Sequence, residues 1–162
     1  NLSLDLMIGL IGQRLDELDA DLRKLVALTP EHVSLYQLTV EPRTPLFAAV
    51  RLGKSDAPDA GAQAAAYERV REFLSTNGYA HYEISNFARR EESGAVSLHS
   101  RHNSLYWTGG EYLGLGMGAH SFRRGSVGQR FANARGLDAY LALWTQKDAP
   151  SRFERASAAT MR

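Results

Sequence analysis

Strand-like and helix-like segments alternate over most of the 162-residue sequence, and this order constrains the fold more than any other feature. Strand patterns lie at residues 2–10, 32–40, 80–87 and 112–116, with a short extra strand at 130–133. Helix patterns lie at 15–28, 62–77 and 137–145, with short helical character at 47–52. Strands separated by helices imply right-handed crossovers and a parallel sheet. The sequence therefore predicts an α/β fold with about four parallel strands, which fits part of a TIM-like barrel better than a finished sheet.

The composition of the sequence excludes several classes of function and of binding site. The 19 basic and 18 acidic residues balance, so no basic surface for nucleic acid is predicted. No apolar run approaches the roughly 18–20 residues of a membrane span, and the first residues do not resemble a signal peptide, so we expect a cytoplasmic protein. The sequence has no cysteine, which excludes disulfides, zinc thiolate sites and cysteine ligands to an iron–sulfur cluster within this chain. Both ends look cut, which predicts a piece of a larger barrel.

Two candidate sites lie at or near strand ends, where parallel barrels bind ligands. Asp5 is surrounded by apolar residues in the first strand, where an ionised carboxylate is costly unless it is hydrogen-bonded. It either points into the barrel mouth as an acceptor for an amine or ribose, or pairs with a neighbouring strand. The glycines of 114–118 either let backbone approach a ligand or allow tight packing at a barrel corner.

Histidines supply the other candidates. His99 and His102 lie three residues apart beside Tyr106 and Trp107, a pattern that suits a metal or an iron porphyrin, since imidazole is a common axial ligand of haem. A solvated loop is the plainer interpretation of the same pattern. His120 follows the glycine-rich segment at a strand end, where it either faces a ligand or is a satisfied structural histidine.

Five collinear segments together resemble a known family. They read LDLMIGLIGQ, PEHVSLYQLTVEPRTPL, NGYAHYEISNFAR, RHNSLYW and EYLGLGMGAHSF, and they span residues 1 to about 145. In this order they resemble the oxygen-independent coproporphyrinogen-III-oxidase-like proteins of the radical S-adenosylmethionine (SAM) superfamily. The HNxxYW match at 102–107 and the YEISNFAR stretch point to the haem-chaperone branch.

The resemblance implies a (β/α)6 partial barrel whose N-terminal half holds a 4Fe–4S cluster through a C-x3-C-x2-C loop, with SAM on its fourth iron position. Residues 1–145 would then be the C-terminal half of that barrel, and 146–162 a linker into a truncated helical domain. By position, Asp5 matches a strand aspartate that contacts SAM, and Thr39 a strand-end residue whose backbone lies beside it. His120 falls in the glycine-rich loop that touches the adenosyl group, and His102 opens the motif proposed to matter for haem.

The family comparison predicts a haem chaperone that delivers haem to apo-haemoproteins, with SAM and the cluster in support. The recipients could bring it into peripheral contact with a membrane. The alternative is an oxygen-independent coproporphyrinogen III oxidase, which decarboxylates a porphyrinogen. Without cluster cysteines this chain alone is predicted to be inactive. Ile11 and Met117 replace prolines usual in the family, so two turns beside the predicted pocket should loosen modestly.

Overall fold

A computed structural model describes residues 1–90 and 98–145 of the chain. The chain divides into two compact units, Asn1–Ser100 and Arg101–Arg162, and each is described by itself. The first unit contains β1 (Ser3–Ile8), α1 (Leu15–Ala27), β2 (His32–Gln37), α2 (Pro45–Arg51), α3 (Ala60–Thr76), β3 (Tyr79–His81) and β4 (Asn86–Arg89). The second contains α4 (Arg101–Trp107), β5 (His120–Arg123), β6 (Gln129–Ala132) and α5 (Leu137–Thr145).

The first unit is a four-stranded mixed sheet in the order β1-β2-β4-β3. β1 and β2 run parallel, and Asp5 lies opposite Ser34 in their register. β3 and β4 form an antiparallel hairpin, and β4 also pairs with β2 in the antiparallel direction. The sheet is therefore parallel only where helix α1 connects its strands.

Helices α1 and α3 supply the apolar side chains that cover one face of this sheet. Strand β1 alternates, so that Leu4, Leu6 and Ile8 face the helices while Asp5 is exposed. The buried cluster is drawn from both helices and from all four strands: Ile8, Leu18, Leu22, Leu25, Val33, Leu35, Ala66, Val70, Leu74, Tyr79 and Phe87. The core of the first unit thus lies on one side of the sheet.

The ends of the helices follow from capping residues. The carboxylate of Asp59 accepts a hydrogen bond from the Ala62 amide at 2.6 Å, which satisfies one of the free amides that begin α3. At its other end, Gly78 has φ of +86°, a conformation that favours glycine just after a helix.

All four predicted helical segments are present, but two of the predicted strands are wrong. Residues 80–87 do not form one parallel strand, because the chain turns between β3 and β4 and returns antiparallel. Residues 112–116 are not a strand; Tyr112 makes only an isolated bridge to Phe122. A barrel of exclusively parallel strands is therefore not what the described residues form.

The second unit is organised around the antiparallel hairpin of β5 and β6. Among its residues with described side chains, only Ser121 and Asn133 are buried. The HNxxYW motif, predicted as a loop, lies in helix α4. The predicted linker at 146–162 lies outside the described residues, and the extent of the barrel domain, 1–145, stays a prediction.

Candidate functional site

The face of the first sheet that α1 and α3 do not cover carries polar side chains in register. Residues directly opposite each other on neighbouring strands project to the same face. Asp5 is opposite Ser34, and Ser34 is opposite Asn86, so three polar residues form one row across β1, β2 and β4. This surface, called the polar face below, comprises Ser3, Asp5, Met7, His32, Ser34, Tyr36, Asn86 and Ala88.

Asp5 is exposed on this face and makes no hydrogen bond or ion pair within the part of the chain that the structure describes. The interpretation of Asp5 as a residue paired with a neighbouring strand therefore has no support from the described residues. Its carboxylate is available as an acceptor.

His32 anchors a hydrogen-bonded group next to the polar row. Its Nδ1 lies 3.1 Å from Ser3 Oγ, and its Nε2 lies 2.8 Å from the Tyr82 hydroxyl. Burial lowers the pKa of His32 below its ordinary value of 6.5, although Asp5 and Glu83 act in the opposite direction. The imidazole is therefore neutral at neutral pH.

His99 packs against the same tyrosine. Its ring stacks on Tyr82 with the centroids 4.0 Å apart. The Nε2 atom of His99 is buried and has no hydrogen-bond partner among the described residues, whereas the Tyr82 hydroxyl also accepts from the Ser100 amide at 3.3 Å. The predicted pair of histidines is thus split between two environments, His99 packed in the first unit and His102 on α4 of the second.

Gln63 of α3 ties together the ends of β1 and β2. Its side-chain amide donates to the Leu38 carbonyl at 2.8 Å and to the Gly9 carbonyl at 3.4 Å. Gly9 has φ of +66°, and a Cβ there would lie 2.6 Å from Gln63 Cγ. Gln13 accepts from the Gly9 amide at 2.8 Å, which closes the turn after β1.

Thr39 and Ile11 both lie just beyond these strand ends. The Thr39 side chain is exposed and its hydroxyl donates weakly to the Gln37 carbonyl at 3.4 Å. Ile11 is not among the residues with positive φ, and neither is Met117, so replacing the family prolines causes no left-handed strain. The φ angles at these two positions therefore have the same sign as those of proline.

His102 is exposed on α4 and is already hydrogen-bonded. Its Nε2 lies 2.9 Å from the Tyr106 hydroxyl, one helical turn away. Tyr106 in turn packs edge-on against Tyr112 with centroids 4.5 Å apart, which links α4 to the bridge with β5. A metal or haem iron that used Nε2 of His102 would have to displace this tyrosine.

The glycine-rich segment before His120 is held by buried polar groups. The backbone N–H of Gly114 donates to Ser121 Oγ at 2.9 Å. The side-chain amide of Asn133 donates to the backbone carbonyls of Gly114 and Gly116. A Cβ on Gly114 would lie 2.1 Å from the His120 carbonyl oxygen. Tight packing is the interpretation that the structure supports for Gly114, whereas a Cβ on Gly116 would meet nothing within 4 Å. The His120 side chain itself is exposed.

Sequence reasoning missed Ser34, Glu83, Asn86 and Gln63. Ser34 alternates with buried Val33 and Leu35, which was a signal for a residue on the polar face. Asn86 and Gln63 carried no such signal, because they reach the site through a hairpin turn and a distant helix.

Within residues 1–90 and 98–145, no group of three metal-ligating side chains comes together, and no helix is both long and apolar enough to cross a bilayer. The sequence has no cysteine, so this chain holds no thiolate ligand for the 4Fe–4S cluster that the family resemblance implies, and the place of that cluster in the other half of the barrel stays a prediction.

Known proteins resemble the chain over most of its length. The haem chaperone HemW of Bacillus subtilis is 36% identical over 152 residues, which is 94% of this chain and 38% of that protein. The mouse mitochondrial radical S-adenosyl methionine domain-containing protein 1 is 46% identical over 118 residues, 73% of this chain and 25% of that protein. The chain thus spans between about a quarter and two fifths of these relatives, and no family model matches it.

The solved structure of the radical SAM enzyme coproporphyrinogen III oxidase (HemN) from Escherichia coli has the same fold over 91% of this chain and 35% of its own, with a TM-score of 0.61 and 22% identity. The chain is therefore similar in sequence to haem chaperones of the HemW type and to radical SAM domain-containing proteins, and it shares its fold with the oxidase. Several bacterial HemW proteins are 35–36% identical to it.

Proposed function

We propose that this chain is the C-terminal half of the barrel of a radical SAM haem chaperone, which binds haem and transfers it to apo-haemoproteins. The observation that carries the proposal is the match to HemW over 94% of the chain, which includes the HNxxYW helix. The exposed imidazole of His102 is the candidate haem ligand, since imidazole is a common axial ligand of haem iron.

For SAM, the proposed contacts are Asp5, Thr39 and His120. SAM carries a sulfonium, an amine and ribose hydroxyls, so an exposed carboxylate such as Asp5 suits it. The side chain of Gln63 donates to the carbonyl of Leu38 and so fixes the backbone just before Thr39. A fixed backbone at this point supports the proposed contact between Thr39 and SAM. When bound, SAM would supply an adenosyl group, and the residues of this chain would hold and orient it.

The 4Fe–4S cluster would be supplied by the other half of the barrel, because its thiolate ligands are absent from this sequence. We further propose that β1 and β2 are two parallel strands of that barrel. Their parallel register and the fold shared with the oxidase support this assignment.

Three accompanying predictions belong to the whole protein. We propose a cytoplasmic location, although the mouse relative is named as mitochondrial. Delivery to apo-haemoproteins, and membrane contact through those recipients, also stay predictions that follow from the chaperone proposal.

One experiment separates a chaperone from an oxidase. The protein carrying this chain and the cluster half is reconstituted anaerobically, loaded with haem, and mixed with an apo-haemoprotein, while a parallel sample receives coproporphyrinogen and SAM. The proposal predicts haem transfer, seen as the holo-acceptor Soret spectrum, and no decarboxylated porphyrin by chromatography. Decarboxylation without haem transfer would contradict it and favour the oxidase.

A further inference from the structure

The β5–β6 hairpin carries a row of aromatic and basic side chains on one face. Phe122 lies directly opposite Arg130 in the hairpin register, and Tyr112 bridges to Phe122 through two backbone hydrogen bonds of 3.0 and 2.9 Å. Because residues directly opposite each other project to the same face, these three residues form one row across three chain segments. This surface, Tyr112, Phe122 and Arg130, is called the hairpin row below.

The other face of the same hairpin is the packed one. Ser121, which precedes Phe122 in β5 and therefore projects to the opposite face, is fully buried and accepts from the Gly114 backbone N–H. On the row itself, Arg130 is exposed, and Tyr112 and Phe122 are half-buried. The hairpin row thus lies on the accessible side of the hairpin.

The rings of the hairpin row continue to helix α4, which carries the candidate haem ligand. Tyr112 packs edge-on against Tyr106 with centroids 4.5 Å apart, and Tyr106 packs edge-on against His102 with centroids 5.1 Å apart. In the other direction, the rings of Tyr112 and Phe122 are 6.2 Å apart, and the guanidinium carbon of Arg130 lies 5.6 Å from the Phe122 centroid. A continuous series of ring contacts therefore leads from the proposed iron ligand to an arginine.

The charge of this region indicates which kind of ligand suits it. The guanidinium of Arg124 is already used, since it donates to the carbonyls of Thr108 and Gly109. Arg130, in contrast, lies on the exposed row. An excess of positive charge beside aromatic rings favours a flat, apolar molecule that carries carboxylates. Residues 101–145 hold five arginines and two carboxylates: Arg101, Arg123, Arg124, Arg130 and Arg135 against Glu111 and Asp138.

We propose that Arg130 binds a propionate of haem, and that Phe122 and Tyr112 contact the propionate-bearing edge of the macrocycle. This rests on the proposed function, under which His102 is the ligand of the iron. Haem is flat and apolar apart from its two ionised propionates, and the planar N–H donors of an arginine match a carboxylate with two parallel hydrogen bonds. An imidazole alone fixes the iron, whereas Arg130 fixes the orientation of the macrocycle and selects porphyrins with free carboxylates.

The test uses the cluster-reconstituted protein that contains this chain. It is titrated with ferric haem and with ferric haem dimethyl ester, in which both propionates are uncharged, and the Soret difference spectrum is recorded. Arg130→Gln should weaken haem binding about 3- to 10-fold and leave the affinity for the ester unchanged, as expected for one charge-assisted contact at an exposed position. That selectivity is a change that a merely structural role would not produce. Arg130→Lys keeps the charge and should recover part of the loss.

The contact with the macrocycle has its own variant. Phe122→Leu should weaken haem and the ester by the same factor, because ring contact does not involve the propionates. Unchanged affinities in Phe122→Leu would remove the rings of the hairpin row from the site.

Arg123→Gln is the matched control, because it removes the same charge from the opposite face of the same hairpin, where Arg123 pairs with Gln129. It should leave both affinities unchanged, and a loss equal to that of Arg130→Gln would overturn the proposal. If Arg130→Gln binds haem like the wild type, or weakens haem and the ester alike, the propionate site is wrong, while weaker binding by His102→Ala would still support the haem ligand. If the wild type binds no haem, the proposed function itself is wrong.

Discussion

The two units of this chain are held together by different means. In the first, eleven apolar side chains form one cluster beneath a four-stranded sheet. In the second, the two buried residues among the described side chains are both polar, and they hydrogen-bond to a glycine-rich segment. Burial of apolar surface organises residues 1–90, whereas backbone hydrogen bonds and close packing at Gly114 organise the described residues of the second unit.

This difference explains where candidate ligand residues lie. Once the helices have covered one face of the first sheet, its other face is left for Asp5 and its polar neighbours. In the second unit, Gly114 is engaged in close packing against the His120 backbone, and the candidate ligand residues His102 and His120 are exposed side chains.

The largest effect should come from the apolar core of the first unit. Phe87 is fully buried, and Phe87→Ala should lower the free energy of unfolding by about 3–5 kcal/mol, since it creates a cavity in a packed cluster. Urea unfolding followed by far-UV circular dichroism measures it. Leu115→Ala is the control in the second unit, where the side chain is 76% exposed, and it should change stability by less than about 0.5 kcal/mol. Equal losses of stability in Phe87→Ala and Leu115→Ala would contradict the claim that apolar burial organises only the first unit.

Backbone packing should decide the stability of the second unit. Gly114→Ala would force a Cβ against the His120 carbonyl and should destabilise by about 1–3 kcal/mol. Trp107 lies in helix α4 of the second unit, so its fluorescence follows the unfolding of that unit. Gly136→Ala is the matched control, because a Cβ there meets nothing within 4 Å. If Gly114→Ala left the free energy of unfolding unchanged, the hydrogen bonds to this segment would not require the close approach of residue 114 to the His120 backbone.

A smaller effect is expected at α4. Tyr106→Phe removes the hydrogen bond to His102 Nε2 and leaves that atom free for haem iron. Since one hydrogen bond is worth about 1 kcal/mol net, haem affinity should rise roughly 5-fold. Absorbance titration near the Soret band measures the change. A weaker complex would mean that Tyr106 holds His102 in its binding geometry instead of competing with the iron.

The smallest effect should be a pH dependence on the polar face of the first unit. Because burial lowers the folded-state pKa of His32, the unfolded chain binds a proton more readily as the pH falls below 6.5. The free energy of unfolding should therefore fall between about pH 7 and pH 5. His32→Gln should show a shallower dependence in the same urea series. An unchanged slope in the variant would indicate that other groups carry the titration.

Local patterns predicted most of the helices and little of the sheet order. The leucines of α1 and the alanine-rich start of α3 follow helical spacing, and capping residues such as Asp59 and Gly78 mark the ends of α3. The hairpin of β3 and β4 was missed because its turn, at residues 82–85, contains neither glycine nor proline. Helix α4 was missed since His102, Asn103 and two aromatic residues are weak helix formers.

The candidate site was predictable only residue by residue. Asp5 stands out as a carboxylate in an apolar strand, and histidines attract attention for their chemistry. The row that joins Asp5 to Ser34 and Asn86 depends on strand register across more than 50 residues, which no local pattern specifies. Likewise, the bond from Gln63 to the Leu38 carbonyl follows from how α3 packs.

The proposal that this chain carries the haem ligand of a chaperone is tested most directly by titrating the 162-residue chain with ferric haem and recording the Soret band. The wild type and His120→Ala, an exposed histidine of the same unit, should shift the band alike and saturate with one haem per chain. His102→Ala should lose the shift or weaken binding by at least about 10-fold. Binding by His102→Ala as tight as that of the wild type would contradict the assignment of His102.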